Sequence, residues 1–341
     1  MARVKVFVFT KNEYDTIEDF IRFYGELFGY ENVIIIDNKS TDERVRDVYR
    51  KYMSLGLVHL YSEGRNMQNH SAIMTEYIKS FKDQCDFVIP LDTDEFIFFT
   101  EGGAITKERV QAYFDSIPEN VSIIRFKKFL GSCPNPDSPT YVNYKHERPV
   151  QDIVDFYDQD WDKIIIRASK FLSSTMGNHA ASVTDGIRVV SDQLGLLHFH
   201  ETGIYRQYER ARQGVKGYGF TDPDDHDIVE QIKRCHAFKM GVGGHHCKYF
   251  LSFLVRIYFI NRWKQIKQDG TLPTAADIEW LHQHREKEAL GMMIEDYIKD
   301  KKGNTDMNEN NLIFGNWPRI NSQFVITQVS DFLKEHQKTK I

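Results

Sequence analysis

Asp86-Phe87-Val88-Ile89-Pro90-Leu91-Asp92-Thr93-Asp94-Glu95-Phe96 is the stretch whose reading decides the fold. An apolar run, short and rich in β-branched and aromatic side chains, stops at two carboxylates one residue apart, as a buried strand does when it reaches a functional edge. Strand alternation would point Asp92 and Asp94 the same way, and paired oxygen donors suit a hard divalent cation, Mn²⁺ or Mg²⁺. An isolated D-x-D triplet is as readily a solvated turn, so its weight comes from what precedes it.

Upstream, residues 4–9 read as a strand that ends in the polar turn Thr10-Lys11-Asn12-Glu13. Asp15 and Glu18 have capping-box spacing, and Ile17, Phe20, Ile21, Tyr24, Leu27 and Phe28 recur along one helix face. The pattern then repeats. Residues 33–36 form a second strand stopped by Asp37-Asn38-Lys39, and Ser40 with Glu43 is expected to cap a helix whose apolar face is Val45, Val48, Tyr49, Tyr52 and Met53. Residues 57–61 give a third strand, and a helix through Ile73, Tyr77, Ile78 and Phe81 leads to the fourth. Apolar strands alternating with amphipathic helices predict an α/β fold with a mainly parallel sheet covered on both faces. Ligands bind such a sheet outside the carboxyl ends of its strands, where Thr10 to Glu13, Asp37 to Lys39, the turn with Arg65, and Asp92 to Glu95 would meet. Neither G-x-G-x-x-G nor G-x-x-x-x-G-K-[ST] occurs, which excludes a dinucleotide-type Rossmann domain and a P-loop enzyme.

After the triplet, residues 106–116 read as a helix and 121–129 as one strand, followed by a Pro- and Asn-rich loop over 133–140, which a compact domain carries when it is functional or mobile. Residues 163–166, 187–190 and 194–199 are further strands, the last running into His198 and His200. From Tyr205 the chain turns helical. Its apolar stretch over 249–263, interrupted by Arg256 and Arg262, is read as a cover for the preceding domain, with peripheral membrane contact as the alternative. The expected organisation is an α/β domain at 1–204 and a helical region at 205–341 packed on it.

With 341 residues, 41% hydrophobic, the chain can bury a large core, and a net charge of -5 with both signs interspersed excludes a general nucleic-acid binder. No apolar run reaches the length of a membrane span and no signal peptide precedes the first strand, so a soluble, cytoplasmic protein is expected. Four cysteines without framework spacing are expected to be reduced.

Taken together, Thr10-Lys11-Asn12-Glu13, Ile36-Asp37-Asn38-Lys39-Ser40-Thr41-Asp42 and Leu91-Asp92-Thr93-Asp94-Glu95-Phe96, in that order, resemble a GT-A glycosyltransferase of the family 2-like and family 92-like group. The likeness continues in Phe129-Leu130-Gly131-Ser132, Lys163-Ile164-Ile165-Ile166-Arg167 and Leu196-Leu197-His198-Phe199-His200, and covers roughly the first 220 residues. It implies a GT-A catalytic domain at 1–204, with a nucleotide-sugar half at 1–100 and an acceptor half at 101–204, and a metal-dependent transfer of sugar from a nucleotide-sugar, with UDP as the implied nucleotide, to a hydroxyl of a glycan acceptor, by displacement with inversion. Asp92 and Asp94 would hold the cation, and the resemblance places a histidine, His198, as a third ligand. His200, and His245 and His246 in a glycine-rich loop, compete for that place, and a buried histidine bonded to backbone needs no metal.

Thr10, Lys11, Asn12, Glu13, Asp37, Asn38, Arg65 and Thr93 are the expected nucleotide contacts, Lys11 and Arg65 facing phosphate. Asp37 has a plainer reading as a cap-like residue before the Ser40 helix. Glu95 either orients the site or is a solvated strand-end residue. An inverting transfer needs a carboxylate base, and Asp152, Asp155, Asp162 and Asp185 are the candidates, although Asp185 in Thr184-Asp185-Gly186 also reads as a hairpin turn. Cys235, His236, His245, His246 and Cys247 lack the usual zinc spacing. Two rivals are a sugar-1-phosphate nucleotidyltransferase, for which the first loop lacks the expected Gly- and Arg-rich character, and a non-catalytic nucleotide- or carbohydrate-binding protein.

Overall fold

The structure is a computed structural model that describes residues 1–62, 69–100, 105–132, 156–158, 163–199 and 209–214, with a few more positions between 267 and 280. The chain divides into two compact units, residues 1–133 with 143–201, and residues 134–142 with 202–341. Everything below concerns the first unit. Arg65, Asp152, Asp155, Asp162, His200, His245, His246 and the apolar stretch at 249–263 lie outside the described residues.

Strands β1 (Val4–Thr10), β2 (Val33–Asp37), β3 (Val58–Tyr61) and β4 (Phe87–Leu91) alternate with helices α1 (Ile17–Phe28), α2 (Glu43–Met53) and α3 (His70–Phe81). After β5 (Glu95–Phe99) and α4 (Lys107–Asp115) come β6 (Val121–Arg125), β7 (Phe129–Ser132), β8 (Phe156–Asp158), β9 (Ile164–Arg167), β10 (Phe171–Ser174), β11 (Ala181–Val183), β12 (Ile187–Val190) and β13 (Leu194–His198). The central sheet has the order β12-β6-β9-β4-β1-β2-β3. Its pairings are parallel except that β9 runs antiparallel to both neighbours, β4 and β6. The fold is thus mixed α/β with a mostly parallel central sheet.

β1, β2 and β4 are buried at every position because both sheet faces are covered. Phe7, Phe9, Ile34, Ile36 and Val88 pack with Ile73, Met74 and Ile78 of α3 in one cluster. The alternate residues Val6, Val8 and Ile35 are fully buried as well, on the opposite face by strand alternation. A second sheet, β5-β13-β7-β8, stands beside the triplet.

Several local expectations need correction. The stretch 121–129 is not one strand: it breaks at 126–128, and its two pieces join different sheets. The Asp15/Glu18 capping box does not form, since Thr16 precedes the helix without a capping bond and its hydroxyl donates to Thr93 Oγ1 at 3.0 Å. Nor does Ser40 cap α2. Asp42 does, accepting from the Arg44 N–H at 3.0 Å, while Ser40 turns back to Asp37. β11 and β12 do not pair with each other, so Thr184-Asp185-Gly186 is a connection between sheets and not a hairpin turn.

Candidate active site

Register fixes which side chains share the carboxyl edge. Thr10 lies opposite Asp37, Asp37 opposite Tyr61, and Val8 opposite Leu91, so the ends of β1 to β3 align and Asp92 follows directly on the end of β4. The first two turns on this edge are interlocked. Asn12 has φ of 58°, and its side-chain oxygen accepts the N–H groups of Thr41 (2.8 Å) and Asp42 (3.0 Å). Its own N–H donates to Ser40 Oγ at 2.9 Å, and the Asn38 N–H donates to the Thr10 carbonyl at 2.8 Å.

Asp37 is buried. Its Oδ1 accepts from the Ser40 N–H (2.9 Å) and hydroxyl (2.6 Å), and its Oδ2 lies 3.3 Å from His59 Nε2. The carboxylate therefore holds the turn, the plainer of its two readings. His59, which the sequence analysis missed, is fixed between the rings of Tyr49 and Tyr61 at 4.4 and 4.6 Å. Asn38 is buried and accepts from the Ser62 hydroxyl at 2.8 Å, whereas Lys11 is exposed and Glu13 half-buried.

At the end of β4 the chain turns instead of continuing as a strand, and the Glu95 N–H closes the turn on the Asp92 carbonyl at 3.2 Å. Asp92 and Asp94 therefore do not point the same way. Asp92 is half-exposed and lies 2.8 Å from Lys163 Nζ, while Asp94 is buried with its Oδ1 3.7 Å from His198 Nε2. Thr93 is buried against Thr16 and belongs to the turn's anchoring.

Glu95 is not a solvated residue. It is 1% exposed, its Oε2 accepts the Asp92 N–H at 2.9 Å, and its Oε1 lies 3.2 Å from Lys163 Nζ. Behind the turn, the buried Tyr24 hydroxyl donates to the Glu95 carbonyl (2.9 Å) and accepts the Ile97 N–H (3.2 Å).

β13 reaches the site antiparallel to β5, which sets His198 opposite Glu95 and stacks its ring on Phe129 at 5.3 Å. Of the sequence-predicted trio, Asp94 and His198 are thus brought together, while the Asp92 side chain turns to Lys163. Asp185 joins neither: it precedes β12, which is parallel to β6 and runs in the same sense as β4, so it lies at the opposite edge, exposed and ion-paired with Lys170.

Charge in the turn follows from packing. Desolvation works to raise the Asp92 carboxyl, but the Lys163 ammonium brings it down to about 2. Burial pushes Glu95 well up, only partly offset by the same lysine. Burial would lower Lys163, and the two carboxylates outweigh it and raise it. His70, at the start of α3 and within the field of Asp92 and Lys163, is pushed by burial down to about 4, and burial also lowers His179. Lys163 was legible only as the first residue of an apolar strand, and nothing in its surroundings in the sequence marks an ion pair.

For a divalent cation the donor chemistry is suitable, carboxylate oxygens with one imidazole. Among the described residues no three His, Cys, Asp or Glu side chains already converge as a cage. Asp94 with His198 beside it, and Asp92 across the turn, are the residues that could hold such an ion.

Carboxylates and a histidine gathered at the strand ends of a mostly parallel sheet are compatible with the transferases that the sequence resembles. The profile of glycosyltransferase family 92 matches residues 4–217, and the chain belongs to that family. It is a glycosyltransferase. A comparison with curated protein sequences finds no match.

Among solved structures, the chain is similar to Staphylococcus aureus TarS 1-349, at 14% identity over 90% of this chain and 93% of that one, TM-score 0.35. It is also similar to Mycobacterium tuberculosis glucosyl-3-phosphoglycerate synthase in complex with Mn²⁺, UDP and glucosyl-3-phosphoglycerate, at 17% identity over 38% and 44%, TM-score 0.25. A third is a cytidylyltransferase from Leptospira borgpetersenii, 9% identical over 50% of this chain and 62% of that chain, TM-score 0.28. Among the described residues no helix is long and apolar enough to cross a membrane.

Proposed function

We propose that this chain moves a sugar from a UDP-sugar to a hydroxyl of a glycan acceptor, with inversion and with the help of Mn²⁺ or Mg²⁺. What supports the reading is the pairing of Asp94 with His198, and Asp92 in the same turn at the carboxyl end of β4, in a chain of glycosyltransferase family 92. The departing nucleoside diphosphate must take on charge as the bond to the anomeric carbon breaks, and a bound cation supplies the neutralising charge. Asp94 and Asp92 would hold it, and His198 would fix its position from a rigid strand end.

The interlocked turns of Asn12 and Asp37 shape the nucleotide end, with Lys11 exposed to meet phosphate. Asp37 acts there through the turn it holds. Asp152, Asp155 and Asp162 are the proposed sources of the base, as Asp185 lies at the other edge of the sheet.

The test is a screen of nucleotide-sugars with Mn²⁺ and Mg²⁺, reading release of nucleoside diphosphate, with Asp94→Ala beside the wild type. Metal-dependent UDP release that Asp94→Ala loses while staying folded is the expected result. Pyrophosphate release from a nucleoside triphosphate, or full turnover by Asp94→Ala in chelator, would overturn the reading.

A further inference from the structure

Three carboxylates fall within four residues of one turn, Asp92, Asp94 and Glu95, and among the described residues the Lys163 ammonium pairs with two of them. Lys163 is 1% exposed and bridges Asp92 at 2.8 Å and Glu95 at 3.2 Å. Its position is set by the sheet: it directly precedes β9, whose antiparallel register with β4 (Phe87 opposite Arg167, Val88 opposite Ile166) carries it to the level of the β4 end. A lysine this deeply buried is retained only with partners, and both of its partners belong to the turn that the proposed function uses. The glycosyl-transfer reading assigns the lysine no part.

We propose that Lys163 is a positioning residue that serves as an internal counter-ion at Asp92, so that a divalent cation binds this turn weakly alone and firmly only together with a nucleoside diphosphate. The inference rests on the metal-dependent reading and adds to it how the ion is admitted. One oxygen of Asp92 is committed to the lysine, and the opposite side of that half-exposed carboxylate is left for a ligand. Glu95 spends one oxygen on the Asp92 N–H and the other on the lysine, which makes it a brace and not a ligand.

An ion held by the other oxygen of Asp92 would share that carboxylate with the ammonium, and two cations on one carboxylate repel each other at any protein dielectric. Two carboxylates and one imidazole also leave a six-coordinate ion short of donors. A diphosphate supplies both the missing oxygens and the missing negative charge. The lysine thereby ties retention of the ion to presence of the donor nucleotide.

The experiment compares Lys163→Met and Lys163→Arg with wild type as full-length proteins, titrating Mn²⁺ and reading the free ion by electron paramagnetic resonance, with and without UDP. Lys163→Met is expected to bind Mn²⁺ alone at least about tenfold more tightly than wild type. Its gain on adding UDP should shrink, and turnover should fall because Asp92 is no longer held. Lys163→Arg keeps the cation and should keep the wild-type Mn²⁺ affinity.

Removing one partner of a buried pair can unfold a protein, so the same comparison is made in the Glu95→Gln background, Lys163→Met/Glu95→Gln against Glu95→Gln. There the lysine's loss leaves no buried carboxylate behind, and the same tightening is expected. Mn²⁺ affinity without UDP that stays equal or weakens when the lysine is removed would overturn the proposal. That failure is separate from failure of the metal-dependent reading, which would show as cation-independent UDP release by the wild type.

Discussion

Replacing Tyr24 by Phe removes one oxygen atom from the core and is expected to loosen the turn that carries the carboxylates. β5 is an edge strand of its sheet. The Thr100 N–H bonds to the Gln193 carbonyl in the β5–β13 ladder, so by alternation the groups of residues 95 and 97 face away from β13, where Tyr24 satisfies both. In Tyr24→Phe the ring contacts with Phe20 (4.7 Å), Phe23 (4.9 Å) and Phe96 (6.3 Å) can persist, and only the two hydrogen bonds are lost. Two buried backbone groups left unpaired cost about 2 to 3 kcal/mol together. For a unit of this size that lowers Tm by about 4 to 10 °C. Thermal melts followed by circular dichroism measure it, and UDP release should drop with the Mn²⁺ requirement rising. A melt within about 1 °C of wild type would refute the reasoning, because it would show that the edge of β5 has other partners.

His70 is buried, its Nδ1 has no hydrogen-bond partner among the described residues, and its pKa is held at about 4 by desolvation, below the usual 6.5. The unfolded chain therefore binds this proton first, so stability falls as pH drops from 6.5 towards 4, by about 3 kcal/mol in all, and His70→Leu should flatten that part of a stability–pH profile measured by urea melts. Burial pushes the Cys85 thiol up to about 12. Native protein treated with iodoacetamide at pH 8 should leave the Cys85 peptide unmodified by mass spectrometry, and the same peptide should label once urea unfolds the chain.

Much of the architecture was legible because it follows from periodicity. β1, β2 and β4 are apolar at nearly every position because both faces are covered, and the helices between them show a single buried stripe, so alternation and sheet type could be read directly. The triplet and His198 were legible as strand ends. Their mutual geometry was not, because Asp92 and Asp94 look alike in a sequence while a turn sends one to Lys163 and the other towards His198. Lys163 is 71 residues from Asp92 along the chain and meets it only through the β4–β9 pairing, a long-range contact that no local pattern encodes. β9 itself was visible as an apolar run, but its antiparallel direction was hidden, since nothing in Ile164 to Ile166 states which way it runs.

The two failed capping boxes share one cause. Asp15 with Glu18 and Ser40 with Glu43 have the right spacing, and a cap contributes about 1 kcal/mol wherever it forms. In both places a hydroxyl at the start of the helix serves the carboxyl edge instead, Thr16 next to the expected cap and Ser40 as the expected cap itself. The Thr16 hydroxyl, at the start of α1, donates to Thr93 inside the triplet, and the Ser40 hydroxyl donates to Asp37 and accepts from Asn12. Each of these bonds joins segments that a helix cap would leave independent, 77 residues apart for Thr16 and Thr93 and 28 apart for Ser40 and Asn12. Because Thr93 lies between Asp92 and Asp94, the start of α1 is fastened to the turn between the two carboxylates, and α1 also carries Tyr24, which fastens β5 on the other side of Glu95. The helix that the sequence presents as generic packing is thereby the scaffold of the site. Substitutions in α1 at Thr16 and Tyr24 should for that reason disturb the carboxylate turn more than changes on its exposed face do.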